Sequence, residues 1–350
     1  MRSFAAKLTQ VATVGVLFAN LSVPGPASDA SPHLTGDLSC HDPHIASENS
    51  KYYLFCTSAE GRNGFLPIRC SSDLKHWSLC GTVFEEPPAW IHEEIPESKG
   101  AWAPDLARFG SKWHLYYAIS TFGKNRSLIG HATNATLDST RKDYRWTDEG
   151  KVIESFPTDD WNAIDPNVIV SSQNWVWMDF GSFWSGIKMV RLDPATGERS
   201  AEDTHLYSLA QRPRDSPILG SIEGPYIFHH AGFYYLFASF DFCCRGAAST
   251  YNIRVGRSRQ VMGPYADRDE KAMLEGGGTM IQQGSNEWRG PGHNSVLHDH
   301  SGDYIFFHAY KADTGRPFLQ IGKIEWVGGW PKIVSLWRPE ASNSPSVHEP

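Results

Sequence analysis

Five residues able to do acid–base or ligand chemistry recur along the 350-residue chain at intervals of about 60–70 positions: Asp42, Asp105, Asp165, Glu223 and His293. Each stands at the head of a similar stretch, an apolar run, a short polar turn and an aromatic run, which is the signature of a β-hairpin. Around Glu223 the pattern is fullest: Glu223-Gly224-Pro225-Tyr226, an apolar strand, the turn at 229–232, then Phe233-Tyr234-Tyr235-Leu236-Phe237. A single Asp-Pro pair ordinarily only shapes a turn. Several carboxyl groups brought to one place have a different use. Hydrolysis of a glycosidic bond needs one carboxyl protonated, to help the leaving oxygen depart, and one ionised, to activate water or attack. A third carboxylate nearby keeps the acid's proton on through like-charge repulsion.

The elements that would gather these residues follow from the repeat. Units of about 60 residues, each with room for four short strands, fit an all-β fold, a five-bladed β-propeller whose innermost strands surround a channel. The five marker residues then converge near its axis. The catalytic propeller is expected over 33–338. A long Pro- and Glu-rich loop at 85–100 is of the kind that borders a site. The Pro- and Ser-rich stretch from Arg338 onward, 339–350 above all, reads as a disordered tail.

Composition bounds the partners. The net charge of −7 is spread along the chain without a basic block, which argues against a nucleic-acid ligand. Arg2 and Lys7, an apolar run at 11–21 and small residues at 24–28 read as a secretory signal peptide over 1–28, too short to span a membrane. No later run is long and apolar enough to cross one. The mature protein is therefore expected to be secreted and extracellular, off the membrane, and a monomer. Export would make the Asn125 and Asn134 sequons usable for N-glycosylation. Six cysteines in an exported chain favour disulfides. Cys40, Cys56, Cys70 and Cys80 share the first repeat and suit two local bridges of undecided pairing. Adjacent Cys243 and Cys244 could be free thiols, a vicinal disulfide, or bridged elsewhere. The 13 Trp exceed what a core needs and suit stacking on sugar rings.

Several longer motifs carry a resemblance. His-Asp-Pro at 41–43, Trp-Ala-Pro-Asp at 102–105, Asn-Ala-Ile-Asp-Pro-Asn at 162–167 and Phe-Gly-Ser-Phe-Trp-Ser-Gly-Ile at 180–187 come in order. Glu-Gly-Pro-Tyr-Ile at 223–227, Phe-Asp-Phe-Cys-Cys-Arg-Gly at 240–246, Leu-Glu-Gly-Gly-Gly-Thr at 274–279 and Gly-Pro-Gly-His-Asn-Ser at 290–295 follow. Over 41–330 the chain resembles the secreted endo-arabinanases of glycoside hydrolase family 43. That resemblance implies an inverting hydrolase of α-1,5-linked arabinan, the side chain of pectin. It implies Asp42 as general base, Glu223 as general acid and Asp165 as the residue that tunes and orients Glu223. It leaves Asp105 a structural part. Trp102, Asn162, Phe183, Trp184 and Ser185 would line the sugar groove. His293 would ligate a metal at the channel axis, usually Ca2+, held largely through water. Beside the groove residues, His308 is a weaker candidate for a part in the site. At the acid this chain reads Glu-Gly-Pro where many endo-arabinanases read Glu-Ala-Pro, as related exo-acting members often do. An exo-acting α-L-arabinofuranosidase or β-xylosidase on the same fold is the alternative enzyme, and a non-catalytic sugar-binding propeller the alternative outside enzymes.

Overall fold

A computed structural model of the chain describes Met1 and residues 32–58 and 64–339. All but the first residue of the 1–28 leader and all but the first residue of the 339–350 tail lie outside these. Four antiparallel strands make each of five blades, at 44–84, 102–155, 167–210, 222–282 and 288–339 (blades I to V). The chain enters each blade on its innermost strand and leaves on its outermost.

The second and third strands are buried along nearly their whole length instead of alternating between buried and exposed. Val176–Phe180 and Ser127–Asn134 are buried at every position. The cause is geometric, because both faces of each blade pack on neighbouring blades. The apolar core accordingly divides into five clusters, one per blade boundary. Phe55 and Leu115 belong to the cluster between I and II, Phe109 and Phe180 to that between II and III, and Ile187 and Leu236 to that between III and IV. Phe237 and Phe307 belong to the cluster between IV and V, and Leu54 and Phe306 to that between V and I. Five boundaries close the ring. A short strand, His33–Gly36, seals it from outside by pairing in parallel with the outer strand of blade V and with that of blade I. The outer strand of blade V runs through Pro339, so Arg338 and Pro339 are paired with His33 and Leu34 and are not part of a disordered tail.

At the head of every inner strand the chain passes through one residue at positive φ: Asp42, Ala103, Asp165, Gly224 and His293. Proline follows in the first four and Asn294 in the fifth. This corrects the phase of the sequence repeat. Asp105 is not equivalent to Asp42 but lies two residues deeper, level with His44, Asn167, Tyr226 and Ser295. Those five side chains tie each blade to the next. His44 Nδ1 lies 2.8 Å from Asp105, and Asp105 accepts from Asn167 Nδ2 and the Val168 N–H. Asn167 accepts the Ile227 N–H, and Tyr226 donates to the Val296 carbonyl. Ser295 accepts the Ile45 N–H and donates to the Pro43 carbonyl. Asp105 is a member of this girdle, with no place in the groove above it.

Three disulfides are formed, Cys40–Cys56, Cys70–Cys80 and the vicinal Cys243–Cys244. The sequons are corrected by burial. Asn125 is 6% exposed and its Nδ2 donates to three carbonyls, while Asn134 is 2% exposed with its Nδ2 buried. Neither amide can carry a glycan in the folded protein. Among the described residues no helix is long and apolar enough to cross a membrane.

Candidate active site

The heads of the inner strands open into a cavity of about 790 Å³. Asp42 from blade I, Asp165 from blade III, Glu223 from blade IV and His293 from blade V all line it. So do Trp102, Asn162, Phe183 and Trp184. Ser185 does not. The turn closed by the Gly186 N–H on the Phe183 carbonyl carries it behind the aromatic pair, where its own carbonyl accepts from Lys188 Nζ. A neighbour, Ser182, takes a place in the wall and bonds to Glu223. None of residues 85–100 reaches the cavity. That segment carries a short helix, Ala89–Glu94, whose Ile91 packs into the core between blades I and II and whose Glu94 pairs with Arg126 and Lys151.

Asp42 is 7% exposed and fully engaged. Its Oδ2 accepts from Thr57 Oγ1 at 2.6 Å and His41 Nδ1 at 2.8 Å, and its Oδ1 lies 3.2 Å from His293 Nδ1. Burial alone would raise its pKa. The imidazoles of His41 and His293, the hydrogen bond from His41 and the more distant His308 outweigh that and hold it far below the usual carboxylate range. Thr57 also accepts the Ala103 N–H, so the residue that orients Asp42 is itself fixed to blade II.

The protons around Asp42 can be assigned. The Cys244 N–H donates to the Tyr310 hydroxyl, which lies 2.6 Å from His41 Nε2. His41 Nδ1, 2.8 Å from a carboxylate that can only accept, carries a proton directed at Asp42. The Asp42 N–H donates to His308 Nδ1, so that ring is neutral with its proton on Nε2. Burial agrees, since it pushes His308 well below the ordinary imidazole value and lowers His293 too. His308, stacked on His41 with centroids 3.8 Å apart, supports Asp42 from behind the wall.

Glu223 faces the opposite electrostatics. It is 8% exposed and accepts hydrogen bonds of 2.6 Å from both Ser182 and Tyr251. Burial raises its pKa most; the two hydroxyls work against this and the charge of Asp42 adds to it. Asp165, buried beside it and accepting the Gly224 N–H at 3.1 Å, is raised by burial and by the charges of Glu223 and Asp42. The pair therefore keeps a proton at pH values where an exposed carboxyl has lost it. Thr57, Ser182, Tyr251 and Tyr310 escaped sequence reading. Only Ser182 lies inside one of the motifs quoted above.

Asp42, Asp165 and His293 hold left-handed backbone angles that L-residues rarely adopt. Gly224 occupies the matching place in blade IV for a second reason. A Cβ there would come within 3.0 Å of His293 Nδ1, so glycine at this point makes room for the imidazole.

The donors near the axis do not form an oxygen cage of the kind calcium takes. His293 offers one nitrogen. The one group of three close donors among the described residues is His41, Asp42 and His308, within 4.8 Å of one another, and these are already bonded among themselves and to Tyr310. A cation ligated directly by His293 alone, with water around the rest, is the arrangement these residues permit.

A propeller with one depressed carboxylate and one proton-retaining carboxyl pair in the same cavity is built as a glycoside hydrolase. The family profile "Glycosyl hydrolases family 43" matches residues 32–331, and the chain belongs to that family. It is 40% identical over 293 residues to an extracellular endo-α-(1→5)-L-arabinanase of Bacillus subtilis, covering 83% of this chain and 86% of the relative. It is 42% identical over 304 residues to an extracellular exo-α-(1→5)-L-arabinofuranosidase of Cellvibrio japonicus, covering 84% and 86%. Among solved structures it is similar to the Cellvibrio cellulosa α-L-arabinanase complexed with arabinohexaose, with a TM-score of 0.79 and 38% identity over 85% of this chain and 95% of that one.

Proposed function

We propose that this glycoside hydrolase is secreted and cleaves internal α-1,5 bonds of arabinan with inversion. The observation that carries the reading is the placement of Asp42, Asp165 and Glu223 around one groove that the 85–100 segment leaves unobstructed. The relatives' substrates support arabinan, and they divide between internal and terminal cleavage. Residues 85–100 do not block the cavity, which favours internal cleavage; its borders are formed instead by Ser120–Lys124, Arg214 and Leu219.

In this mechanism Asp42, held ionised, takes a proton from water as that water attacks the anomeric carbon. Glu223 gives its proton to the departing sugar oxygen from the other side. Asp165 keeps that proton available and holds the Gly224 N–H, and through it the backbone beside the acid. Trp102, Phe183 and Trp184 supply apolar surface for furanose faces. Asn162 lines the cavity beside them and offers its side-chain amide to sugar hydroxyls. Early digests of linear arabinan should contain a spread of oligosaccharides, with viscosity falling ahead of reducing-sugar release. Arabinose alone from the first minutes would assign the chain to the exo-acting class.

The proposal includes a cation, Ca2+ by family likeness, near the channel axis. His293 would be its one direct ligand, and its charge would favour the ionised form of Asp42. Exhaustive chelation should remove a stoichiometric metal and lower the melting temperature, with both restored by calcium. Protein that carries no metal and melts unchanged after chelation rejects this part.

A further inference from the structure

A second cavity, of about 480 Å³, lies at the other end of blade IV. The inner strand Ile222–His230 runs from Glu223 away from the groove, and Phe233, across the turn, lines this second space. Three arginines and two rings in its wall alternate. Arg259 lies over Phe233 at 4.4 Å, Arg257 over both Phe233 and Trp330 at 4.5 Å, and Arg268 over Trp330 at 5.7 Å. Arg257 donates to the Gly329 carbonyl at 2.7 Å. The guanidinium groups of Arg259 and Arg268 have no hydrogen bond or ion pair among the described residues. Two acids also line the cavity. Asp267 uses its carboxylate to accept the N–H groups of Asp269, Lys271 and Gly278, and it stands with Glu270 as one of two nearby counter-charges.

A guanidinium that is held over an aromatic ring and makes no other hydrogen bond keeps its N–H donors free, and that fork matches a carboxylate. These three arginines, two with free forks and Arg257 between them partly engaged by the Gly329 carbonyl, outnumber the two lining acids on a protein of net charge −7, and that local exception calls for an anionic ligand. We propose that this cavity binds the carboxylate groups of a uronic-acid polysaccharide, the charged backbone to which arabinan side chains are attached. The choice of polysaccharide rests on the arabinan reading; the choice of carboxylate rests on the arginine ladder. Bound there, the backbone holds the enzyme close to its neutral side chains without entering the groove.

The test measures binding without turnover, so it stands or falls apart from arabinan hydrolysis. Wild-type protein should be retarded in native gels containing polygalacturonate, and salt should weaken the retardation. Arg259→Gln with Arg268→Gln, both at exposed positions, should weaken binding by about tenfold or more per guanidinium lost, as expected for charge-assisted hydrogen bonds. The same variant should keep full kcat/KM on short linear arabino-oligosaccharides, which also shows that it is folded. Parallel gels with neutral arabinan and with inorganic phosphate as competitor separate the sources. Retardation by arabinan alone, or competition by millimolar phosphate as strong as by galacturonate, overturns the assignment to uronate. Equal retardation of wild type and double variant overturns the site.

Discussion

Glu223→Gln should lower kcat on linear arabinan by about 10²–10⁴-fold, the usual contribution of general acid–base assistance. The amide is nearly isosteric; its oxygen can still accept from one of Ser182 and Tyr251 while its NH2 donates to the other hydroxyl, turned round, so KM and melting temperature should change little. An aryl arabinofuranoside with a good leaving group needs no proton, and the variant should hydrolyse it far less slowly. That contrast separates an acid from a packing residue. The pH profile adds a second reading. The acid works only when protonated, so activity falls as pH rises through its pKa. Burial, with the charge of Asp42 added, places that fall above the ordinary carboxyl range, although Ser182 and Tyr251 oppose it. Asp165→Asn removes one carboxyl of the pair and the repulsion with it, so the alkaline limb should move to lower pH. An unchanged limb would deny Asp165 its tuning part.

Asp42→Asn should cost a similar factor on arabinan and, unlike Glu223→Gln, an equal factor on the aryl glycoside, because both substrates need water activated. The amide oxygen of that variant can still accept from Thr57 and His41, so the wall should stay in place. Added azide, already a nucleophile, should restore turnover of the aryl substrate and give a glycosyl azide of inverted configuration. NMR of the wild-type reaction provides the decisive check. A first product that keeps the substrate's anomeric configuration would make the role of Asp42 as base wrong.

Much of this site could be read in advance because three of its residues stand beside prolines in a repeat, and the hairpins behind them are written in aromatic runs. The phase of the repeat was harder. In blade II the position equivalent to Asp42 is Ala103, and in blade IV the acid sits one residue ahead of its equivalent, Gly224. Carboxyl side chains drew the eye to Asp105, whereas the backbone angle defines the position. The girdle left no pattern because His44, Asp105, Asn167, Tyr226 and Ser295 share a level and no chemistry. Tyr310 reaches the site from another strand, Thr57 and Tyr251 from just outside the ends of two more, and nothing local marks them. The sequons at Asn125 and Asn134 show the converse, a local signal overruled by burial.

The short strand His33–Gly36 has a consequence for how the protein is made. Leu34 pairs with Pro339, so the first described strand cannot complete its pairing until the last has been synthesised. Until then blade I presents an open edge and the core between blades V and I lacks one wall. A chain growing from its N-terminus must therefore carry exposed strand edge and apolar surface through nearly its whole synthesis. Loss of residues 330–339 would strip the outer strand from blade V and also the neighbour that holds His33–Gly36 against blade I. The damage from a short truncation at one end would appear at the other.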